Sequence, residues 1–280
     1  MKKCDLHTHS YYSDGSFSPA AVIGFAEEAG LTAVALTDHN TTKGLSEFVS
    51  SEKDHPDIEL VAGCEFTTEF EKKEVHIVGL FLPEDSWTAV EEYVVPMKKS
   101  KHGSNITLIK KLREGGFDIK YDEVMALTDA DEFNRAHVAR LLYKKGYVQD
   151  IKEAFDKLLF EGGGYFYPPE RPDVFKTISF IRKCGAIPVL AHPYLNLDED
   201  EIRRMIPEAK KAGLLAMETR YSKYSEQTTK KAAAAAAEFG LLESGGSDFH
   251  GDAKPNVSIG TGKGNLTVPY SFFEKLSAAL

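Results

Sequence analysis

The chain has 280 residues, of which 42% are hydrophobic and 28% are charged, a composition that suits one large domain or a domain with an insertion and excludes an intrinsically disordered protein. Its 34 Lys and Arg residues stand against 43 Asp and Glu residues, and the formal charge of −9 argues against binding of long nucleic acid, which requires many basic contacts to phosphate. No stretch approaches the ~20 consecutive apolar residues of a membrane span. The three cysteines are widely spaced and no signal-peptide core is visible, so we expect reduced thiols and a cytoplasmic protein without membrane contact.

Seven short apolar runs, most of which end in polar residues, predict buried β-strands. They span residues 3–6, 32–37, 58–64, 75–81, 186–191, 214–219 and 241–246. Amphipathic helical patterns lie between several of them, such as residues 19–29, where Pro19 stands at the start and Gly30 follows the end. Continuous apolar runs that alternate with helices are typical of parallel strands covered on both faces. We therefore predict an α/β fold in which seven strands form a closed or nearly closed β/α barrel.

One stretch interrupts the alternation of strands and helices. Residues 87–164 are helical and charged in pattern, and three consecutive glycines at 162–164, followed by prolines, mark the return to the barrel. We therefore predict that residues 1–86 and 165–280 form the barrel. Residues 87–164 are predicted to form a helical insertion that acts as a lid or in substrate selection.

Histidine and acidic residues concentrate where the predicted strands end. His7 and His9 are two residues apart on one strand, so their side chains point to the same face, and Asp248 with His250 repeats this spacing. Imidazole and carboxylate groups bind Zn, Mn or Fe, and a carboxylate can bridge two ions. Six of the nine histidines lie in these motifs, which predicts a shared metal site, although a single histidine such as His76 is by itself more often a packed core residue. The predicted cluster comprises His7, His9, His39, Glu65, His76, His192, Asp248 and His250.

Six motifs, in the order in which they occur, resemble those of the PHP (Polymerase and Histidinol Phosphatase) family of metallophosphoesterases. They are HTHSYYSDG at residues 7–15, LTDHN at 36–40, GCE at 63–65, HIVGLF at 76–81, LAHP at 190–193 and GGSDFHG at 245–251. The resemblance extends from Asp5 to about Leu266 and implies the family's fold, a distorted seven-stranded β/α barrel. It also implies two or three divalent metal ions, with Mn as the first choice and Fe or Zn as alternatives.

The resemblance also implies how the ligands are shared. One ion is expected at His7, His9, Glu65 and Asp248, and a second at Glu65, His76 and His192. A third position is expected at Asp14, His39 and His250. Some family members have histidine where this chain has Asp14, so we expect the third position to be weaker, more suited to Mn or Mg, or only partly filled.

Further motifs are similar to one subgroup of the family. They are the insertion itself, NRAHVARLL at 134–142, RYSKYSEQT at 220–228, GGSDFHGDAKP at 245–255 and IGTGKGNL at 259–266. Members of this subgroup hydrolyse small nucleotide phosphoesters, such as the 3′-phosphate of nucleoside 3′,5′-bisphosphates, and some trim the 5′ ends of short RNA. We therefore predict a phosphoesterase in which a metal-bound hydroxide attacks phosphorus. Arg135 is expected to neutralise phosphate oxygens, His137 to contact the substrate, and His250 to hold a metal and relay protons.

Several alternatives stay open at this point. The same site suits an exonuclease that trims short RNA or DNA, and less well a histidinol-phosphate phosphatase or a non-catalytic metal-binding scaffold. Arg135 is otherwise a solvated helix residue. A basic cluster in the insertion is typical of a solvated helix face, or it guides an oligonucleotide end. Its members are Lys98, Lys99, Lys101, Lys110, Lys111 and Arg113.

Overall fold

The computed structural model describes residues 2–128 and 130–280, and within them the chain alternates between strands and helices. The strands are β1 (Cys4–Thr8), β2 (Ala33–Leu36), β3 (Glu59–Phe70), β4 (Lys73–Leu80), β5 (Ile187–Ala191), β6 (Ala216–Tyr221) and β7 (Leu242–Gly246). The helices are α1 (Pro19–Glu28), α2 (Leu45–Ser50), α3 (Trp87–Glu114), α4 (Tyr121–Met125), α5 (Arg135–Lys144), α6 (Ile151–Lys157), α7 (Val174–Lys183), α8 (Glu199–Ala212), α9 (Glu226–Phe239) and α10 (Tyr270–Ser277). Every strand predicted from the sequence is present.

The seven strands form one sheet in chain order, from β1 to β7. The sheet is curved and its two edges meet. There the backbone N–H of Asp248 donates to the carbonyl of His7 at 2.9 Å, and the N–H of His9 donates to the carbonyl of Phe249 at 2.9 Å. The prediction of a nearly closed seven-stranded β/α barrel is therefore confirmed.

The prediction that all strands are parallel is wrong for one of them. β4 runs antiparallel to both β3 and β5. The reason is the turn that precedes it: β3 ends at Phe70 and β4 begins at Lys73, so only Glu71 and Lys72 connect them. Both have positive φ angles, 48° and 67°, as in the two-residue hairpin turns whose twist matches that of the strands. A parallel connection needs a crossover of a dozen or more residues.

Apolar side chains cover both surfaces of the sheet. One buried cluster unites strand residues such as Leu6 and Val189 with Phe272 and Leu276 of α10. A second packs α1 and α2 against β2 and contains Phe48. These two hydrophobic clusters remove large side chains from water and stabilise the sheet that carries the polar motifs.

The chain forms two compact units. The first comprises Met1–Tyr93 and Pro172–Leu280 and contains the barrel. The second comprises Val94–Arg171, is helical, and has an apolar core of its own that includes Leu108 and Phe133. None of the described helices is long and apolar enough to cross a membrane.

The β3–β4 turn provides a test of the fold. Replacing Lys72 by glycine is expected to stabilise the protein by about 0.5–1 kcal/mol. A left-handed backbone costs a residue with a side chain roughly 1–2 kcal/mol, and glycine avoids that cost. Part of the gain is lost because glycine increases the conformational entropy of the unfolded chain. Urea unfolding measures the change. As a control, Ala29→Gly at a negative φ of −77° is expected to lower stability. A Lys72→Gly protein that unfolds at lower urea than the wild type would contradict the hairpin geometry.

Candidate metal centre

Nine side chains that the sequence predicts as metal ligands come together at one end of the barrel. They are His7 in β1, His9 and Asp14 in the segment that follows, His39 after β2, Glu65 in β3, His76 in β4, His192 after β5, and Asp248 and His250 after β7. His76 stands near the start of its strand, whereas most of the other predicted ligands lie at or after the ends of theirs. Because β4 is antiparallel, the start of β4 lies beside the ends of its neighbours: His76 pairs with Thr67 of β3 and Ala191 of β5.

The nine residues form four overlapping groups in which potential ligand atoms lie within 4.8 Å of one another. The groups are His9, Asp14, His39 and His250; His7, His9 and Asp248; His7, Glu65 and His192; and His39, Glu65 and His76. Two groups share Glu65, and a carboxylate has two oxygens with which to serve two ions. The groups overlap and do not divide the residues among individual ions, so the expected ligand set of each ion stays a prediction.

Glu65 is the centre of the arrangement. Its Oε2 atom lies 3.2 Å from Nε2 of His7, 3.4 Å from Nε2 of His9 and 2.9 Å from Nδ1 of His39. Its Oε1 atom lies 2.7 Å from Nδ1 of His76 and 2.9 Å from Nε2 of His192. The two oxygens of one fully buried carboxylate thus face two different sets of imidazoles, which is the geometry of a bridging ligand.

Four of these buried atoms have no hydrogen-bond partner: Nε2 of His7, Nε2 of His9, Nδ1 of His39 and Oε2 of Glu65. Leaving a buried polar atom unsatisfied costs about 1–3 kcal/mol, so a native protein rarely concentrates several at one point. At metal–ligand distances of about 2.1 Å, adjacent ligand atoms of one ion are ~3.0–3.4 Å apart. The separations of 2.9–3.4 Å around Oε2 of Glu65 match that spacing. The residues therefore fit divalent metal ions.

The two oxygens of Asp248 have different surroundings. Oδ2 accepts hydrogen bonds from the hydroxyl of Tyr221 and from Nζ of Lys254, each at 2.7 Å. Oδ1 faces Nε2 of His9 at 3.3 Å. Two donors thus hold one oxygen and leave the other directed at the histidines.

Asp14 and His250 lie at the more open part of the cluster. Nδ1 of His250 donates to the carbonyl of Asp248 at 2.8 Å, which directs its Nε2 toward Oδ1 of Asp14 at 3.0 Å. Nε2 of His39 lies 3.8 Å from the same oxygen. An aspartate therefore occupies the place expected for the third position, among three imidazoles.

Burial and mutual charges together set the titration of these groups. Burial opposes ionisation of Glu65, yet His39, His7 and His76 together hold the pKa of its carboxyl well below the ordinary value. Burial, reinforced by His250 and His39, keeps the pKa of His9 well below its usual range, so its imidazole is neutral and able to bind a metal. Burial would also lower the pKa of His76, but Glu65 and then Glu74 raise it to about 10. Protons and metal ions therefore compete for His76.

Sequence reasoning missed Glu218 of β6. This buried carboxylate accepts a hydrogen bond from Nδ1 of His7 at 2.8 Å and, through its other oxygen, from the backbone N–H of His192 at 2.7 Å. A carboxylate that holds one imidazole nitrogen fixes the ring so that the other nitrogen faces the metal. An acidic residue within an apolar strand was the available signal. Tyr221 and Lys254 lie within the motifs RYSKYSEQT and GGSDFHGDAKP, but the sequence indicated no role for them.

Two of the clustered residues have unusual backbone conformations. His192 and Asp248 have positive φ angles of 29° and 58°, which residues with side chains adopt at a cost. Each immediately follows or closely follows a strand end, where such a turn directs the side chain across the barrel mouth. Strain of this kind is typical of functional sites.

Arg135 and His137 lie in the second unit, at the start of α5. Nη1 of Arg135 donates to the carbonyl of Leu159 at 3.0 Å, and its guanidinium lies 4.2 Å from the ring centre of Phe166. It is half-buried rather than solvated. Nδ1 of His137, a buried residue, accepts the backbone N–H of Asn134 at 3.1 Å as part of the helix cap. Their substrate contacts stay a prediction.

Comparison with known proteins gives three kinds of match. The model of the PHP domain matches residues 5–165. A 5′–3′ exoribonuclease of Haemophilus influenzae is 34% identical over 89% of this chain and 90% of its own length, and a 3′,5′-nucleoside bisphosphate phosphatase of Chromobacterium violaceum is 29% identical over 93% and 91%. A solved structure from Chromobacterium violaceum, described as an amidohydrolase with bound sulfate and no metal, superposes with a TM-score of 0.83 at 28% identity, covering 99% of this chain and 96% of the other.

Glu218 provides a test of the metal centre that does not depend on activity. Glu218→Gln removes the charge that holds His7 and is expected to weaken Mn binding by 10–100-fold, as is usual for partners of metal-bound histidines. Isothermal titration of the metal-stripped protein measures the affinity. Glu243→Gln is the matched control, because Glu243 lies on the adjacent strand and bonds only to Thr219 among the contacts of the described residues. Unchanged Mn affinity in Glu218→Gln would contradict a role for Glu218 in this centre.

Proposed function

The chain belongs to the PHP domain family and is a metal-dependent phosphoesterase, and we propose that it hydrolyses phosphomonoesters of small nucleotides such as nucleoside 3′,5′-bisphosphates. The observation that supports the proposal is the carboxylate of Glu65, shared between two sets of imidazoles in a cluster of nine potential ligands. Such a centre is suited to two or more ions that act on one phosphate. The relative from Chromobacterium violaceum whose name gives this activity aligns with 93% of the chain.

The charge of the site supports a phosphate substrate even though the protein is acidic overall. Asp14, Glu65 and Asp248 contribute three negative charges, whereas two divalent ions contribute four positive charges and three ions contribute six. Bound cations are the largest charges in such a site and set its local potential. The filled site is therefore net positive and attracts a phosphate group, while the formal charge of −9 discourages long nucleic acid.

When bound, divalent ions lower the pKa of water from 15.7 to about 7 and neutralise charge on phosphate oxygens. The residues of this chain hold and orient that centre. Glu65 sets the separation of the two imidazole sets, Glu218 holds His7, and Tyr221 with Lys254 fixes one oxygen of Asp248. We propose that His250 holds a metal or relays protons through Nε2, which faces Asp14, since one nitrogen serves only one of these roles at a time.

Several finer assignments belong to the same proposal. We propose Mn as the physiological ion, with Fe or Zn as alternatives, because the site mixes imidazoles with the hard oxygens of three carboxylates. Arg135 and His137 are proposed substrate contacts on the basis of the NRAHVARLL motif, and the helical insertion is proposed to select substrates. Free thiols at Cys4, Cys64 and Cys184 support the proposed cytoplasmic location.

A second candidate function is the stepwise removal of nucleotides from short RNA. The observation that favours it is the 34% identity, over nine-tenths of both proteins, to the 5′–3′ exoribonuclease of Haemophilus influenzae. The two candidates use the same chemistry on a terminal nucleotide and differ in the product: a nucleoside bisphosphate yields free phosphate, whereas an oligomer yields mononucleotides.

A substrate panel separates these candidates. Adenosine 3′,5′-bisphosphate, a 5′-phosphorylated RNA trinucleotide and histidinol phosphate are each incubated with the protein and Mn, with chelator as the control. We expect Mn-dependent release of phosphate from the bisphosphate, because a compact phosphomonoester fits a buried multinuclear centre. Release of mononucleotides from the trimer alone would move the assignment to exoribonuclease. Failure on both nucleotides by a protein shown to carry its metals would refute both proposals.

The metal content of variants tests the third position. Asp14→Asn is expected to lower the Mn content by up to one ion per chain while two ions stay bound, because a neutral amide is a weaker ligand than the carboxylate that faces His250 and His39. Elemental analysis after dialysis gives the content. Asp252→Asn, an exposed residue just after His250, is the control and is expected to match the wild type. Equal metal content in both variants would argue that Asp14 holds no ion.

A further inference from the structure

A groove in the second unit combines basic and apolar side chains and shares no residue with the metal centre. It has a volume of about 570 Å³ and lies along the C-terminal half of α3 and the start of α4. Its walls include Ile106, Ile109, Lys110, Arg113, Lys120 and Tyr121, with Glu114 at one end. Neither the metal centre nor the proposed substrate contacts at Arg135 and His137 use it.

The positive charge of α3 is unusual for this chain. Residues 94–114 contain six Lys or Arg residues and one Glu, in a protein whose formal charge is −9. Lys99, Ile106, Lys110 and Arg113 follow one another at spacings of seven, four and three residues, so they share one face of the helix. All four are exposed. At 1.5 Å per residue the face extends ~21 Å from Lys99 to Arg113.

Stabilisation of the helix end explains only part of this charge. Basic residues in the last turn, such as Lys111 and Arg113, interact favourably with the helix dipole. Lys110 and Lys111 also lie 3.9 Å and 3.0 Å from Glu114. Lys99 is four turns away, however, and Lys120 lies beyond the helix end. Arg113 itself forms no ion pair within residues 2–128 and 130–280.

The groove also offers an apolar and aromatic surface next to the cations. Ile106 is 48% exposed, which is high for a large apolar side chain in a helix. The ring of Tyr121 is held in place, since its hydroxyl donates to Glu132 and its ring packs 5.1 Å from that of Phe133. Fixed aromatic rings beside a row of cations are how proteins bind single-stranded nucleic acid without reading its sequence.

We propose that this groove, between α3 and α4, binds the backbone of a single-stranded RNA a few nucleotides long. The inference rests on the proposed function, and it extends the substrates of the same enzyme from mononucleotides to short oligomers. The cations at Lys99, Lys110, Arg113 and Lys120 neutralise phosphates, and the side chains of Ile106 and Tyr121 contact the bases. The small number of cations limits the length of RNA that is held, consistent with the acidic character of the whole chain.

Binding is measured on the full chain in chelator, so that no hydrolysis occurs. The probe is a 3′-labelled, 5′-phosphorylated RNA hexanucleotide, and the readout is fluorescence anisotropy. Each phosphate neutralised in single-stranded RNA contributes about −0.7 to the slope of log K against log salt, so contacts from the four cations predict a loss of about 50-fold between 50 and 200 mM salt. The double variant Arg113→Glu/Lys120→Glu is expected to bind at least tenfold more weakly than the wild type.

Lys152→Glu is the matched control. Lys152 is an exposed lysine of the same unit and pairs with Asp156 at i+4, as Lys110 pairs with Glu114, but it lies outside the groove. It is expected to bind RNA as the wild type does, and circular dichroism verifies that every variant is folded. Equal RNA affinity of the double variant and the wild type would overturn the proposal. So would displacement of the RNA by an equal charge of polyglutamate, which would indicate a site for acidic polypeptides.

Activity measurements keep this inference separate from the proposed function. With Mn present, the ratio of KM for the hexanucleotide to KM for adenosine 3′,5′-bisphosphate is expected to rise at least tenfold in the double variant and to stay unchanged in Lys152→Glu. If the wild type hydrolyses neither substrate, the proposed function fails, and the anisotropy measurement still decides whether the groove binds RNA. If hydrolysis proceeds but the ratio is unchanged, the groove proposal alone is refuted.

Discussion

The burial of one carboxylate among five imidazoles is the constraint on which the rest of the site depends. Glu65 is fully buried, and a charged group in that position is destabilising by several kcal/mol unless partners compensate for it. Those partners come from the ends of β1, β2, β4 and β5. Because no pair of neighbouring strands supplies them all, the compensation exists only when the curved sheet brings residues of five strands together.

The reversal of β4 follows from the same constraint. A parallel strand at that place in the sheet would carry a residue near its start to the opposite end of the barrel, away from Glu65. The two-residue turn at Glu71 and Lys72 reverses the chain and places His76 level with the ends of β3 and β5. The turn requires left-handed backbone at two residues with side chains, and the gain is a fifth imidazole at the centre. The direction of β4 therefore serves the placement of His76 as well as the packing of the sheet.

Local patterns predicted much of this molecule because the barrel strands are short, apolar and separated by helices, and because residues two apart, such as His7 and His9, share a face. Those patterns carry no information on strand direction, which depends on the conformation of Glu71 and Lys72. They also leave out contacts between residues that are distant in sequence: Glu218 is 211 positions from His7, and nothing local in AMETRY indicates which imidazole it holds. Residue type identified the ligands, whereas only the fold identifies the groups that orient them.

The distribution of charge accommodates the proposed polyanionic substrates in an acidic protein. Residues 94–171 contain 14 Lys or Arg and 12 Asp or Glu, so the acidic excess of the chain belongs entirely to the barrel unit. At the barrel mouth, two or three divalent ions would add four or six positive charges beside three carboxylates. Bound ions would thus supply most of the positive charge at the metal centre, whereas the α3–α4 groove carries fixed cations. Under the two proposals, recognition of a mononucleotide requires metal, whereas binding of RNA in the groove requires only its lysines and arginine, so the two are separable by chelation.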